Sequence, residues 1–306
     1  MLIRKQPLAI RELFQFSRFR RIFSIVPFST KHTLLFRMPV MPTFLACSRL
    51  YNAAPRHAQA WNELFHEIGR LSGLSLRTVD WAAPARLEEL WARPDLGMAF
   101  LCGRPYLQAG ARHRIIAAPL TSESGERPVY RTLLLARASS GWNRIEDSFG
   151  SRLGRMPAHS QSGYNALRFM LAPYAGADLL YAESVELETP ADCVRALQES
   201  RVDVIPLDSF FHLLLADEYP ELGRRLVILG ASPFTSMPFL AGSPELAPHA
   251  VRALRDALEL WSLSPAYEDI RKALCLRGFA FPSPADYAAL AVQEAEALRL
   301  GYPCPA

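Results

Sequence analysis

The sequence has no Cys-x-x-Cys pair, no long apolar run and almost no acid in its first forty residues, and each shortage excludes something. Its five cysteines, at 47, 102, 193, 275 and 304, are widely spaced and odd in number. That spacing argues against a zinc site and, with the odd count, against a full disulfide framework, and leaves them to be read as mostly buried small side chains. No stretch is long and apolar enough to span a bilayer. The Gly-x-Ser-x-Gly elbow, His-Glu-x-x-His, the Walker loop and the dinucleotide fingerprint are all missing, so nothing points to turnover, a metal or a cofactor.

The shortage of acid is local. Residues 1–40 carry eight Lys and Arg against Glu12 alone, a net +7, so the rest of the chain holds −3 of the total of +4. A basic patch for nucleic acid is therefore not a property of the folded body. The leader, residues 1–41, is Arg-rich and dotted with Phe, which superficially suits a transit-type or membrane-surface segment. A secretory signal needs about 7–15 uninterrupted apolar residues, and Ile22–Phe36 is broken by Pro27, Lys31 and His32. Phe44-Leu45-Ala46-Cys47 faintly resembles a lipoprotein cleavage site, but cutting there would destroy the first strand. The preferred reading is a disordered leader or a misplaced start, with Met38 or Met41 as alternatives.

At 306 residues, half of them apolar, the chain is expected to fold into two lobes. Residues 42–48 read as a strand, and Trp61, Leu64, Phe65, Ile68 and Leu71 as a helix stopped at Gly73. His57 and His66 sit off that stripe and are expected in solvent. Leu74–Val79 reads as a second strand, 85–91 as a short helix, and Leu96–Cys102 as a parallel strand buried on both faces. Between Ile115 and Arg131 the pattern dissolves into a connector. Tyr130–Arg137 opens the second lobe, with a turn over 150–154 and a short helix before it. Thr189-Pro190-Ala191-Asp192 is a helix start, with a Thr cap and Pro at the first position. Strands follow at 201–207 and 225–230, then a return crossing over 232–238 and helices at 251–263, 265–276 and 284–300. The expected division is 42–120 for the first part of lobe one, 121–225 for lobe two, and 226–306 for the return crossing and the rest of lobe one. Ligands in such folds are held in the cleft between lobes.

The most informative stretch is His159-Ser160-Gln161-Ser162-Gly163-Tyr164, which opens a helical pattern. A helix N-terminus offers unpaired amides and about half a positive charge, enough to hold an oxyanion without Lys or Arg. Gly163 is expected to let a ligand approach the backbone closely. The plain alternative is an ordinary Ser cap. His159 beside Ser160 is not a catalytic pair, because adjacent residues of an extended segment point oppositely.

Several motifs in order then carry a resemblance. They are Ser48-Arg-Leu-Tyr51-Asn52, Leu101-Cys-Gly-Arg-Pro-Tyr106, Pro128-Val-Tyr-Arg131, Ser160-Gln-Ser-Gly-Tyr164, Val202–Asp208 and Gly301-Tyr-Pro303. Spanning about Thr43 to Pro303, the chain resembles the substrate-binding proteins of phosphate, phosphite and phosphonate ABC importers, with the α/β, two-lobed type 2 periplasmic-binding fold. The resemblance implies that Ser160, Gln161, Ser162, Gly163 and Tyr164 hold a small anion, that Tyr51 and Tyr106 close over it, and that Asp208 accepts from the ligand. For Asp208 a cap on the following helix is an equal reading, and both tyrosines also read as rim residues. The family usually opens the helix at Thr189 with a Gly/His pair. Pro190 stands there instead, which leaves the pocket open to another small oxyanion or an amphipathic metabolite.

The resemblance implies capture without catalysis, an ABC permease and its ATPase as partners, a periplasmic location, and a monomer or weak dimer. The weak signal leaves the cytoplasm open. Two alternatives remain: an enzyme on the same scaffold, of the pyrimidine or menaquinone-precursor type, and a ligand-sensing module.

Overall fold

The computed structural model describes residues 42–176 and 179–306, so the expectations for the leader lie outside the described residues. Lobe one opens with β1 (Thr43–Cys47), α1 (Pro55–Ser72), β2 (Ser75–Thr78), α2 (Leu87–Trp91), β3 (Leu96–Leu101), α3 (Gly103–Gln108) and β4 (Arg114–Thr121). β5 (Val129–Tyr130) crosses to lobe two, which holds β6 (Thr132–Arg137), β7 (Arg152–Arg155), α4 (Leu167–Leu171), β8 (Glu183–Glu186), α5 (Pro190–Gln198), β9 (Val204–Asp208), α6 (Ser209–Glu218), α7 (Pro220–Arg224) and β10 (Leu226–Ala231). β11 (Thr235–Ser236) returns, and β12 (Phe239–Gly242), α8 (Pro248–Leu263), α9 (Glu268–Ala273), β13 (Leu276–Ala280) and α10 (Ala289–Arg299) complete the chain.

Among the described residues lobe one is built on a sheet of order β13-β4-β12-β3-β1-β2 and lobe two on β10-β6-β9-β7-β8. β1 runs parallel to β2 and β3, and β7 parallel to β8 and β9. The strands on either side of each crossing pair antiparallel, β12 with β3 and β4, β6 with β9 and β10. β5 and β11 form a separate two-stranded ribbon joining the lobes, Thr235 opposite Tyr130. This is the α/β two-lobed architecture expected.

Local chemistry accounts for the elements. α1 buries Trp61, Leu64, Phe65 and Ile68 completely, each worth about 2 kcal/mol by removal from water. It ends at Gly73, whose φ of +70° puts the cap in the left-handed region, its N–H returning to the Gly69 carbonyl. All six residues of β3 are buried. The Thr189 hydroxyl accepts from the Asp192 N–H, the cap the sequence announces.

Four expectations need correction. Residues 114–121 are not connector but the buried strand β4. The misleading residue is Pro119, which lies past Ala117, the last β4 residue paired with β12, so it has a strand neighbour on one side only. There a missing N–H is tolerated. The turn at 150–154 contains β7, where Gly154 allows Leu187 and Ile205 to pack tightly against the strand. β10 pairs with β6, so lobe two extends through Ala231 and a division at 225 falls one strand early. His57 is not in solvent but fully buried, with neither ring nitrogen hydrogen-bonded among the described residues. Burial first, then the Arg56 charge, pushes its pKa down. Arg56 itself bridges to Asp217 and Glu218 of α6, an ion pair between lobes.

The last helix does not belong to lobe one alone. α10 contacts α3 on one side and α4 on the other. Beyond it, the carbonyls of Pro303, Pro305 and Ala306 accept from Arg168, Ser184 and Leu180 of lobe two.

Candidate ligand-binding site

Between the lobes lies a cavity of about 70 Å³, reached through a wider mouth. A single buried water needs at least about 10–15 Å³, so a cavity of this volume suits a small solute of a few heavy atoms. Lobe one contributes Arg49, Tyr51, Trp91 and Cys102, and lobe two His159, Ser160, Ser162 and Asp208.

Each wall has a local cause. Ser160 caps the segment that follows, its Oγ accepting from the Gly163 N–H at 3.1 Å. The next residues, Gln161–Ala166, form a wide π-helical turn in which the Asn165 N–H reaches the Ser160 carbonyl at 3.1 Å. Such turns are rare and concentrate at functional sites. Ser160 and Ser162, at the start of the helix, line the cavity, where a helix N-terminus offers amides with no intrahelical partner.

Asp208 ends β9 and starts α6, and it fills both roles read from the sequence. Its Oδ1 accepts from the Phe210 and Phe211 N–H groups at 2.8 and 3.0 Å, capping α6. Its Oδ2 accepts from the Tyr51 hydroxyl at 3.0 Å, a bond across the cleft. Tyr51 is held by Phe100 and Phe210, with ring centroids 4.7 and 4.6 Å away. Burial pushes the Asp208 carboxyl up to about 6, against the lowering effect of its three hydrogen bonds. Burial also raises the Cys102 thiol to about 12; Asp208 adds to this and the Gln161 backbone opposes it.

Sequence reasoning assigned no role to Tyr130, on β5. It is 2% exposed and its hydroxyl has no hydrogen-bond partner among the described residues. Burial, Cys102 and Asp208 all raise its pKa, and nearby Ser162 lowers it. Three of the groups around this phenol thus line the cavity. The signal was present in Pro128-Val-Tyr-Arg131, which was read as a crossing and not as a donor. His159, Trp91 and Cys102 were also missed. His159 Nδ1 sits 3.1 Å from Glu88 of α2, and its ring meets Trp91 edge-on at 6.2 Å, so the cavity mouth is bridged.

Of the residues singled out beforehand, Tyr51, Ser160, Ser162 and Asp208 meet at the cavity. The other four do not line it. Tyr106 falls inside α3, an unforeseen helix, and packs between Phe239 and Tyr287 in the core. Gln161 turns its side chain to the rear, its Nε2 donating to Gln293 at 2.9 Å. Gly163 makes room for Met156, not for a ligand: a Cβ there would lie 2.5 Å from the Met156 side chain. The Tyr164 ring is surrounded by Arg104, Arg155 and Arg168, each under 6 Å from its centroid. The described residues contain no group of three His, Cys, Asp or Glu placed to hold a metal, and no helix long and apolar enough to cross a membrane.

A family model described as "ABC transporter, phosphonate, periplasmic substrate-binding protein" matches residues 51–287. No curated protein matches the chain. Among solved structures, a binding-protein component of an ABC phosphonate transporter from Pseudomonas aeruginosa superimposes with a TM-score of 0.74 at 16% identity, covering 85% of this chain and 88% of that one. PhnD1 from Prochlorococcus marinus, in complex with methylphosphonate, gives 0.70 at 11% identity over 83% and 98% of the two chains. A Xanthomonas citri protein bound to ATP gives 0.59 at 15% identity over 85% and 98%. At such identities these likenesses are likenesses of fold.

Proposed function

The chain belongs to the family of periplasmic substrate-binding proteins of phosphonate ABC transporters, and from that premise we propose that its cavity captures a small phosphonate- or phosphate-like oxyanion for an ABC permease and its ATPase. The observation that carries this reading is the group of hydroxyls around one small space. Ser160 and Ser162 line it, and the buried Tyr130 hydroxyl near Ser162 has no hydrogen-bond partner among the described residues. A buried polar group left unpaired costs about 1–3 kcal/mol, and a bound oxyanion removes that cost. The size supports it, since methylphosphonate has five heavy atoms.

Capture without turnover is the better reading of the same groups. His159 is engaged by Glu88, not by a serine, and the Asp208 carboxylate meets the Tyr51 phenol, not Ser160 or Ser162. Asp208 and the mouth residue Glu188 give the lining two carboxylates. They favour a solute with a hydrogen-donating or cationic end opposite its anionic one. The family's periplasmic description supports a periplasmic location for this chain.

Thermal melts and titration calorimetry against methylphosphonate, aminoethylphosphonate, phosphate, phosphite and a sulfonate test the reading. Ligand at 100-fold over Kd should add about 2.7 kcal/mol of stability. Ser160→Ala combined with Ser162→Ala should abolish that gain and leave a folded protein. Unchanged binding by the double variant would refute the site.

A further inference from the structure

The turn that carries Ser160 and Ser162 to the cavity is anchored from the opposite side. Asn165 is buried and uses its whole side chain. Its Nδ2 donates to Gln161 Oε1 at 3.1 Å and to the Leu290 carbonyl at 3.4 Å. Its Oδ1 accepts from Arg104 and Arg168, both at 2.8 Å. Gln161, fully buried, passes the connection on to Gln293. Glu294, the next residue of α10, receives Arg104 at 2.9 Å and Arg168 at 3.3 Å. One buried network therefore joins the π-turn to α3, α4 and α10.

We propose that Gln161 and Asn165 are positioning residues, which through Gln293 and Glu294 let the C-terminal helix α10 set the aim of the turn that presents Ser160 and Ser162 to the cavity. This rests on the oxyanion reading of the same loop. Gln161 lies between Ser160 and Ser162, which line the cavity, and sends its carboxamide to the α10 side. A side chain bonded at its far end fixes the peptide plane at its near end. Donors held in place before a ligand arrives need no reorganisation when it binds.

The test is a double-mutant cycle in the full chain with Gln161→Met, Gln293→Met and both together. Two readouts are needed: Kd for methylphosphonate, and hydrogen exchange of the Gln161 and Ser162 amides in the ligand-free protein. Each single variant should weaken binding about tenfold, the equivalent of one hydrogen bond, and speed exchange at those two amides. The double variant should be no worse than Gln161→Met, because removing Gln161 already breaks its link to Gln293. Loss in Gln161→Met alone would mean that this side chain acts on the ligand directly, and the proposal falls. Additive losses would overturn it too. If Gln161→Met does not fold, Gln293→Met on the outer helix still decides by its exchange rates. If the wild-type protein ignores methylphosphonate, the function reading fails, while unchanged exchange in the variants would separately refute the positioning role.

Discussion

Asp208→Asn isolates the cost of keeping a carboxylate in the cavity wall. Burial raises this carboxyl from an ordinary 3.8 to about 6. The native state therefore takes up a proton more readily than the unfolded chain between these values. Stability should rise as pH falls through that window, and the penalty should be felt in full above pH 6. Two pKa units correspond to about 3 kcal/mol. Asn mimics the protonated acid and still offers an oxygen to the Phe210 and Phe211 amides, so the α6 cap survives. At pH 7.5 the variant should be more stable by up to about 3 kcal/mol, raising Tm by roughly 6 °C, and it should match the wild type near pH 4. Paired calorimetric melts from pH 4 to 8 measure this directly. An Asn variant that is less stable at pH 7.5 would show that the three hydrogen bonds outweigh burial, and the reasoning would be wrong. The same substitution removes a negative charge from an anion site, so oxyanion affinity at pH 7.5 should increase, and the wild type should gain affinity on its own as pH drops below 6.

Two further substitutions separate fold from site. Gly163→Ala drives a methyl into Met156 and should cost about 1–3 kcal/mol by overpacking, and adding Met156→Ala should recover part of that in urea titrations. Tyr106→Phe should leave both binding and stability unchanged, since the ring packs against Phe239 and Tyr287 away from the cavity; a loss of binding would return this hydroxyl to the site. Tyr106→Ala should cost about 3–5 kcal/mol of stability, read from the shift in denaturation midpoint.

Where a residue pattern depended on local periodicity, the sequence was readable. The α1 stripe, its Gly73 stop and the Thr189 cap are all determined by neighbours within four residues, and each has a distinct physical signature. β4 was hidden because Pro119 looks like a breaker unless one knows that β12 has already ended beside it. That is information held by a strand more than a hundred residues away. The site divides the same way. The ordering of Ser160 and Ser162 before a helix was visible, but the direction of each side chain was not. A π-helical turn rotates the residues differently from an α-turn, so Gln161 faces α10 while Ser162 faces the cavity. Tyr106 was misplaced because α3 was read as a loop, and a loop tyrosine and a helical one point to different surroundings. Tyr130 was overlooked because its importance comes from Ser162, Cys102 and Asp208, none of them near it in sequence.

Tyr130 belongs to the ribbon that joins the two halves. A solute that engaged this phenol would be gripping the axle, not just the jaws. Cargo choice and the ease of swinging open would then share one side chain, and a lineage that altered it to carry something new would change its grip and its gait together.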